Sequence, residues 1–195
     1  CLFTQSVVIS QPLIPISISY TKTDVLCNGN NTGAIDLTVT GGTPGYFYSW
    51  SNTAISEDIS NLFASTYSVT VTDIRGCVEN AVIPILEPLA PLNATYLVQD
   101  VQCFGDSTGI IDMTTTGGTV PYNFAWQNST FVLSVSGEDL TNYGADTYVV
   151  TVTDEHNCVF EDTIIITEPT ELTSSIIQTD ILCYGESTGM IDLSV

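Results

Sequence analysis

Cysteines are the residues of this 195-residue chain with the most chemistry available to them, and there are six. One kind of cysteine precedes a Gly-containing loop, and the other directly follows a short turn that opens with Asp. Placement beside turns argues against six buried free thiols, and the chain has no C-x-x-C motif or histidine pair to give zinc four ligands. An even number of cysteines fits disulfides formed in an oxidising compartment.

Two disulfide patterns fit the cysteine positions, and the sequence does not decide between them. The first staples each repeating segment internally, through Cys27–Cys77 and Cys103–Cys158. The second clips the last strand of one segment to the first strand of the next, through Cys1–Cys27, Cys77–Cys103 and Cys158–Cys183. In either pattern, closing a loop of a few tens of residues is expected to stabilise the fold by about 4 kcal/mol on the chain-entropy model.

Recurring acidic residues near the cysteines are the candidate calcium ligands. Calcium takes six to eight oxygen ligands from carboxylates and carbonyls. The candidates are Asp24, Asp73, Asp100 and Asp154, with the loop from Asn28 to Asn31 as a further source of oxygens. No D-x-D-x-D-G motif is present, and Asp36 alternates with apolar neighbours and is expected to face solvent. The alternative role of the acids is solubility and mutual repulsion.

His156 is the only histidine, and it lies in a turn, Asp154-Glu155-His156-Asn157. Nucleophilic catalysis requires a nucleophile, a base and an orienting group within hydrogen-bond reach. The counterpart of His156 in the preceding segment is Arg75, so the repeating architecture does not require an imidazole. We therefore expect an exposed turn residue, no catalytic residue and no enzymatic activity.

The charge of the chain excludes several classes of partner. There are 22 acidic residues against two basic ones, Lys22 and Arg75, which gives a net charge of −20. Nucleic acid is bound by clusters of Lys and Arg, so this chain is not expected to bind it. No apolar run approaches the roughly 18 residues that would predict a transmembrane helix.

Internal repetition dominates the sequence. Three segments are alike: CNGNNTGAIDLTV at 27–39, CFGDSTGIIDMTT at 103–115 and CYGESTGMIDLSV at 183–195. Glu-Pro pairs at 87–88 and 168–169 are the natural joints between copies, since proline ends strand pairing. This predicts the end of a preceding repeat at 1–12, modules at 13–88 and 89–169, and the start of a following repeat at 170–195. We expect the chain to be part of a longer array.

Within each copy the hydrophobic residues alternate with period two, which is typical of half-buried strands. Six or seven such strands fit in about 80 residues with no room for helices, and this favours an all-β antiparallel sandwich. Tyr67 is expected to return its hydroxyl to the backbone of the preceding loop, as in a tyrosine corner. Trp50 is expected in the core and Phe47 at the surface.

The motifs identify a resemblance. The frame C-x-G-x-x-x-G-x-I-x-L, then G-G-T-x-x-Y, then T-Y-x-V-T-V-T-D and a closing E-P resembles the SprB-type repeat of the giant cell-surface adhesins of gliding bacteria. The resemblance implies tandem immunoglobulin-like modules, exported to the extracellular surface and, in gliding relatives, propelled along it. Gly45 and Asn157 depart from the usual turn residues of that frame.

The resulting prediction is a non-enzymatic stalk segment of an extracellular repeat adhesin that supports adhesion and gliding. Its expected partners are neighbouring repeats of the same chain and the surface anchoring and motility machinery. The alternative is a polysaccharide-binding module that uses the variable loops at Asn52–Glu57 and Gln127–Glu138. The second loop carries a five-residue insertion relative to the first, and insertions belong in loops.

Overall fold

A computed structural model describes residues 4–7 and 14–195, and it contains strands but no helix among them. The scarcity of Lys, Arg, Met and Gln and the abundance of β-branched and aromatic residues account for this. The strands are β1 (Ser17–Thr23), β2 (Gly33–Thr40), β3 (Phe47–Trp50), β4 (Ile59–Leu62), β5 (Ser65–Thr72), β6 (Val78–Ile85), β7 (Asn93–Gln99), β8 (Gly109–Thr116), β9 (Asn123–Gln127), β10 (Leu140–Tyr143), β11 (Asp146–Thr153), β12 (Val159–Ile166), β13 (Ser175–Thr179) and β14 (Met190–Ser194).

Every sheet is antiparallel and lies within one predicted copy. The first copy has the sheets β1-β2-β4 and β3-β5-β6, and the second has β7-β8-β10 and β9-β11-β12. β13 and β14 pair with each other, and all of their residues are exposed. The order of strands is therefore the same in the two copies, as their shared sequence pattern predicts.

The core of the first copy is formed by side chains from both of its sheets. Ile35 and Leu37 of β2 meet Val69 and Val71 of β5, and Trp50 closes the cluster. Each of these residues is at most 3% exposed. Period-two alternation puts the apolar residues of each strand on one face, and the two apolar faces then pack as a sandwich. The predicted all-β sandwich is confirmed.

The second copy has a core of the same kind. Ile111 and Met113 of β8 are buried, as are Val150 and Val152 of β11. Trp126 is fully buried and its indole N–H donates to the carbonyl of Gly137 at 3.0 Å. Trp50 donates in the same way to Ser56 at 2.8 Å. The polar end of each tryptophan is therefore satisfied inside the sandwich.

Two tyrosine hydroxyls return to the backbone four residues earlier. Tyr67 donates to the carbonyl of Phe63 at 3.1 Å, and Tyr148 donates to the carbonyl of Gly144 at 2.9 Å. This arrangement fixes the corner that leads into β5 and into β11, because it ties the loop to the strand that follows. The tyrosine corner predicted at Tyr67 is confirmed.

The chain divides into two compact units. The first comprises the described residues of Cys1–Asn93 with Thr116–Pro121 and Asp154–Cys158; the second comprises Ala94–Thr115, Tyr122–Thr153 and Val159–Val195. Two turns of the second copy thus belong to the first unit. The module boundaries at 88–89 and 169–170 stay a prediction, and the repeat end predicted at 1–12 lies largely outside the described residues.

Tyr148→Phe is expected to lower the free energy of unfolding by about 1 kcal/mol, because it removes one largely buried hydrogen bond and leaves the Gly144 carbonyl without its donor. Urea unfolding followed by tryptophan fluorescence measures the change. Tyr184→Phe is the matched control, since Tyr184 is fully exposed. A Tyr148→Phe chain as stable as the Tyr184→Phe chain would show that the corner contributes nothing.

Candidate functional site

The loop between β1 and β2 carries Cys27 and is held against the end of β6. The backbone N–H of Val25 donates to the carbonyl of Leu86 at 2.8 Å, and the N–H of Leu86 donates to the Asp24 carboxylate at 2.8 Å. Lys22 forms an ion pair with the same carboxylate at 2.8 Å. The backbone N–H of Leu86, with help from Lys22, lowers the pKa of Asp24. Asp24 therefore works as a backbone anchor.

The Glu-Pro joint is fastened to the same loop. The Glu87 carboxylate accepts from the backbone N–H of Gly29 at 2.5 Å, and the Asn28 side chain donates to the carbonyl of Pro88 at 2.8 Å. Gly29 has a φ of +79°, a conformation that glycine adopts without steric cost. These contacts explain why a Gly follows two residues after the cysteine and why Glu precedes Pro at the joint.

The second copy repeats three of these hydrogen bonds. The N–H of Thr167 donates to the Asp100 carboxylate at 2.7 Å, and the N–H of Gly105 donates to Glu168 at 2.7 Å. Val101 donates through its N–H to the carbonyl of Thr167 at 2.9 Å. The loop with Cys103 is therefore built like the loop with Cys27.

A buried aspartate organises the turn between β5 and β6. Asp73 is 1% exposed, and its carboxylate accepts from the backbone N–H groups of Thr43, Arg75 and Cys77, each at 2.9 Å. The hydrogen bond from Thr43 is the main cause that lowers the pKa of Asp73, and it outweighs the opposing effect of burial. The turn is thereby fixed to the segment that follows β2.

Asp154 does the same between β11 and β12. It is 2% exposed and accepts from the N–H groups of Thr119, His156 and Cys158, each at 2.9 Å. The backbone N–H groups of Thr119, His156 and Cys158 are thus positioned by one carboxylate, and Cys158 itself is 9% exposed. All of these residues lie in the first compact unit.

Cys27 is bonded to Cys158, with a Cα–Cα distance of 5.7 Å and a sequence separation of 131. Both cysteines lie in the first compact unit. The disulfide joins the loop of the first copy to the Asp turn of the second. Among the described residues, Cys77, Cys103 and Cys183 are free and exposed.

The structure corrects the predicted pairing of Cys27 with Cys77 and of Cys103 with Cys158. Cys27 precedes β2, whereas Cys77 is fixed through Asp73 to Thr43, which follows β2. Eight residues of strand span about 26 Å, far beyond the roughly 7 Å that a disulfide can bridge. The same geometry separates Cys103 from Cys158 across β8.

The other predicted pattern also differs from the structure. Cys158 is bonded to Cys27, so neither Cys1–Cys27 nor Cys158–Cys183 forms, and the Cys77–Cys103 pair is absent because both are free. Cys1 itself lies outside the described residues. The physical reason is the position of the turn cysteines. Cys77 and Cys158 directly precede the last strand of their copy, whereas the Glu-Pro joint to the next copy follows that strand.

The structure does not bring the calcium candidates together. Asp24 binds backbone before β2 and Asp73 binds backbone after it, and Asp100 and Asp154 are placed likewise around β8. Within residues 4–7 and 14–195, no group of three or more His, Cys, Asp or Glu side chains could hold a metal ion. Asp36 and Asp112 are exposed, as the alternation predicts. Calcium dependence stays a prediction.

His156 is half-buried, which differs from the exposed position expected for it. Its Nδ1 is buried and has no hydrogen-bond partner among the described residues. Its backbone N–H donates to Asp154, so the chain at this position is held by the buried carboxylate. The turn packs its side chain inward, which a sequence pattern of polar turn residues does not reveal.

The variable loops differ in what they expose. Ile55 in the first loop is 81% exposed, and Phe131 and Val132 in the second are 59% and 73% exposed. Leu133 in the middle of the second loop is buried, and the Trp126 indole N–H donates to the carbonyl of Gly137 near its end, so the longer loop is tied to the core at two points. Phe47 is 66% exposed, as predicted.

Sequence reasoning missed two further anchoring carboxylates. Asp58 accepts from the N–H of Leu37 at 2.9 Å, and Asp139 accepts from the N–H of Met113 at 2.8 Å. Each fastens the start of the short fourth strand of a copy to its second strand. The available signal was the Glu-Asp pair that precedes both of these strands.

The loop, the second strand and the third strand of each copy match one family model. The SprB repeat model matches residues 19–54 and 95–131. The chain is therefore similar to SprB repeats over these two segments. The matched segments include the anchors Asp24 and Asp100 and the loop cysteines Cys27 and Cys103. No curated protein matches the chain.

Three solved structures are similar to this chain, each with a TM-score below 0.5. The three N-terminal domains of the bacteriophage RB49 outer capsid protein Hoc are 14% identical, with 93% of this chain and 68% of that chain covered and a TM-score of 0.43. The eight N-terminal Ig domains of the Down syndrome cell adhesion molecule are 12% identical, with coverages of 80% and 25% and a TM-score of 0.42. Drosophila OTK extracellular domains 3–5 are 12% identical, with 79% of this chain and 62% of that chain covered and a TM-score of 0.41. This likeness concerns the fold alone.

In the described part of the chain there is no helix of the length and apolar character needed to cross a membrane.

Acid is expected to remove the contribution of Asp73 to stability. Because hydrogen bonds lower the pKa of the folded carboxyl, its stabilising effect is present above the unfolded value of about 3.9 and is lost as the pH falls through the lower folded value. The urea midpoint of Asp73→Asn should lie below that of the parent chain at pH 7, and the difference should shrink below about pH 4. Urea titrations between pH 7 and pH 2 measure both midpoints.

Asp36→Asn is the matched control, since Asp36 is exposed and lies on the solvent face of β2. Its midpoint should follow that of the parent chain at every pH. A difference for Asp73→Asn that stays constant down to pH 2 would contradict the assigned role.

Proposed function

We propose that the chain is a load-bearing stalk segment of an extracellular cell-surface adhesin, and that it acts structurally rather than as an enzyme. The observation that carries the proposal is the Cys27–Cys158 disulfide within a chain that is similar to SprB repeats. It ties one copy to the next by a covalent bond in addition to the peptide backbone. A covalent tie between successive copies serves tensile strength and has no evident use in binding a small substrate.

The disulfide changes how tension passes through the chain. Its cysteines are separated by 131 in sequence, and the residues between them include strands β2 to β11. Tension that enters before Cys27 passes through the sulfur atoms to Cys158, so the enclosed strands cannot be drawn out while the bond is intact. The enclosed sandwich modules are therefore protected from extension.

Extracellular placement is supported by the disulfide itself and by the charge. Disulfides persist in oxidising compartments and are rare in reducing ones. A net charge of −20 keeps neighbouring stalks apart and discourages pairing between exposed strand edges. The partners of such a stalk are neighbouring repeats, a surface anchor and the machinery that moves the adhesin during gliding.

A second candidate is polysaccharide binding through the longer variable loop. Phe131 and Val132 are exposed there while Leu133 fixes the loop to the core. Exposed aromatic rings on a rigid support are suited to stacking on sugar rings. Retention of the chain on agarose or on a glycan array, with loss of retention in Phe131→Ala but not in Phe47→Ala, would support this candidate. Absence of retention would leave the stalk role alone.

When the chain is pulled from its two ends, the disulfide is expected to limit the length that the unfolded chain can reach. Opening the loop closed by the disulfide would add roughly 430–470 Å of contour length, for a sequence separation of 131 at 3.3–3.6 Å per residue. Single-molecule force spectroscopy through terminal peptide tags should therefore give a fully unfolded length that is longer by this amount in reductant or in Cys27→Ser.

Cys103→Ser is the matched control, because it removes an exposed cysteine outside the bond. Its unfolded length should equal that of the oxidised parent chain. An oxidised parent chain that extends to the full contour length of all its residues would contradict the stalk proposal.

A further inference from the structure

The three unbonded cysteines lie in two kinds of local site, and the bonded pair supplies one example of each. Cys103 and Cys183 occupy the same loop position as Cys27, and Cys77 occupies the same turn position as Cys158. We refer to these positions as the loop site and the turn site. The disulfide in the structure joins one loop site to one turn site of the next copy.

The three loop sites share one backbone geometry. The N–H of the residue three positions after the cysteine donates to the cysteine carbonyl, at 3.0 Å for Cys27, 3.1 Å for Cys103 and 3.2 Å for Cys183. The glycine two positions after each cysteine has a positive φ, of +79°, +77° and +89° respectively. The backbone of each free loop cysteine is therefore already in the conformation of the bonded one.

The two turn sites are equally alike. In both, the cysteine N–H donates to the buried aspartate at 2.9 Å, and the aspartate N–H donates to the cysteine carbonyl at 2.9 Å for Cys77 and 3.0 Å for Cys158. Cys77 differs only in being exposed and free, whereas Cys158 is bonded and buried. Cys77 thus has the backbone geometry of a turn site, but no loop cysteine is bonded to it.

We propose that each loop site forms a disulfide with the turn site of the copy that follows it, so that Cys103, Cys183 and Cys77 are attachment points for further copies of the repeat. Cys103 pairs with the turn cysteine of the third copy, Cys183 with that of a fourth, and Cys77 with the loop cysteine of a preceding copy. The inference deepens the stalk role but depends on cysteine pairing alone, which can be measured without any test of adhesion or load.

The bond forms by two exchange steps with a disulfide oxidant, such as oxidised glutathione or an oxidoreductase of the exporting compartment. One cysteine thiolate attacks the oxidant and expels one thiolate, which leaves a mixed disulfide. The second cysteine thiolate then attacks the mixed disulfide and expels the other. Two electrons pass from the two cysteines to the oxidant, and the two protons of the cysteine thiols end on the two thiols released.

Successive links of this kind overlap along the chain. Cys103 lies between Cys27 and Cys158 in sequence, so the link that starts at Cys103 begins inside the loop closed by the first. Tension would then pass from Cys27 to Cys158, along the backbone to Cys183, and across the next link. Over a length of two copies, only the backbone from Cys158 to Cys183 would then carry tension without a disulfide in parallel.

The test extends the full chain so that the third copy gains its turn site. Val195 aligns with Thr115, so the residues from Thr116 to Pro169 are appended after Val195 and bring a second example of Cys158. Every chain carries Cys1→Ser, so that Cys1 cannot form a competing disulfide. The chains are refolded with oxidised and reduced glutathione, alkylated and mapped as peptides without reduction.

The expected result is a peptide that joins Cys103 to the appended counterpart of Cys158, beside the peptide that joins Cys27 to Cys158. Free thiols should number two in the extended chain, at Cys77 and Cys183, against three in the unextended one. Cys103→Ser in the extended chain should leave the appended cysteine as a thiol and leave the Cys27–Cys158 bond unchanged.

The inference would be overturned if the appended cysteine paired with Cys77 or Cys183, or if it stayed a thiol while Cys27–Cys158 formed. The stalk proposal would be unaffected, because the force measurement tests it separately. Absence of both links would overturn it as well, since the bond that it extends to other copies would not exist.

Discussion

The hydrogen bonds from backbone N–H groups to Asp24, Asp73 and Asp154 determine where Cys27, Cys77 and Cys158 lie. Each carboxylate ties a loop or a turn to one end of a strand, and the cysteine three or four residues further on is carried with it. Loop cysteines are thereby placed before the second strand of a copy, and turn cysteines after it. A strand of eight residues stands between them. Pairing within a copy is excluded by this distance, and pairing between copies becomes the available route.

Each copy has its own buried core, and the Glu-Pro joint after each copy is held by a further carboxylate. Glu87 and Glu168 fasten the joint to the loop in each copy, at Gly29 and Gly105. The recurring aspartates before and after the second strand, Asp24, Asp73, Asp100 and Asp154, likewise accept hydrogen bonds from backbone amides. These hydrogen bonds fix the loops and turns to the strands.

The fold could be predicted closely from the sequence, because period-two alternation and internal repetition are local signals. The burial of Trp50, the exposure of Phe47 and Asp36 and the corner at Tyr67 all follow from them. The disulfide could not be predicted, since it depends on which end of a strand each loop occupies. Cys27 and Cys77 are close to their strands in sequence yet lie at opposite ends of the sandwich, and only hydrogen bonds such as Thr43 to Asp73 reveal this. Carboxylate anchors such as Asp58 were missed for the same reason, because their partners are 21 residues away in sequence.

Peptide mapping of the 195-residue chain without reduction tests the central claim most directly, because it reads the pairing of Cys27 itself. After oxidative refolding and alkylation, the account predicts one disulfide peptide that contains Cys27 and Cys158, with Cys77 and Cys103 recovered as alkylated thiols. A peptide that joins Cys27 to Cys77, or Cys103 to Cys158, would contradict it, since it would place both cysteines at the same end of one sandwich.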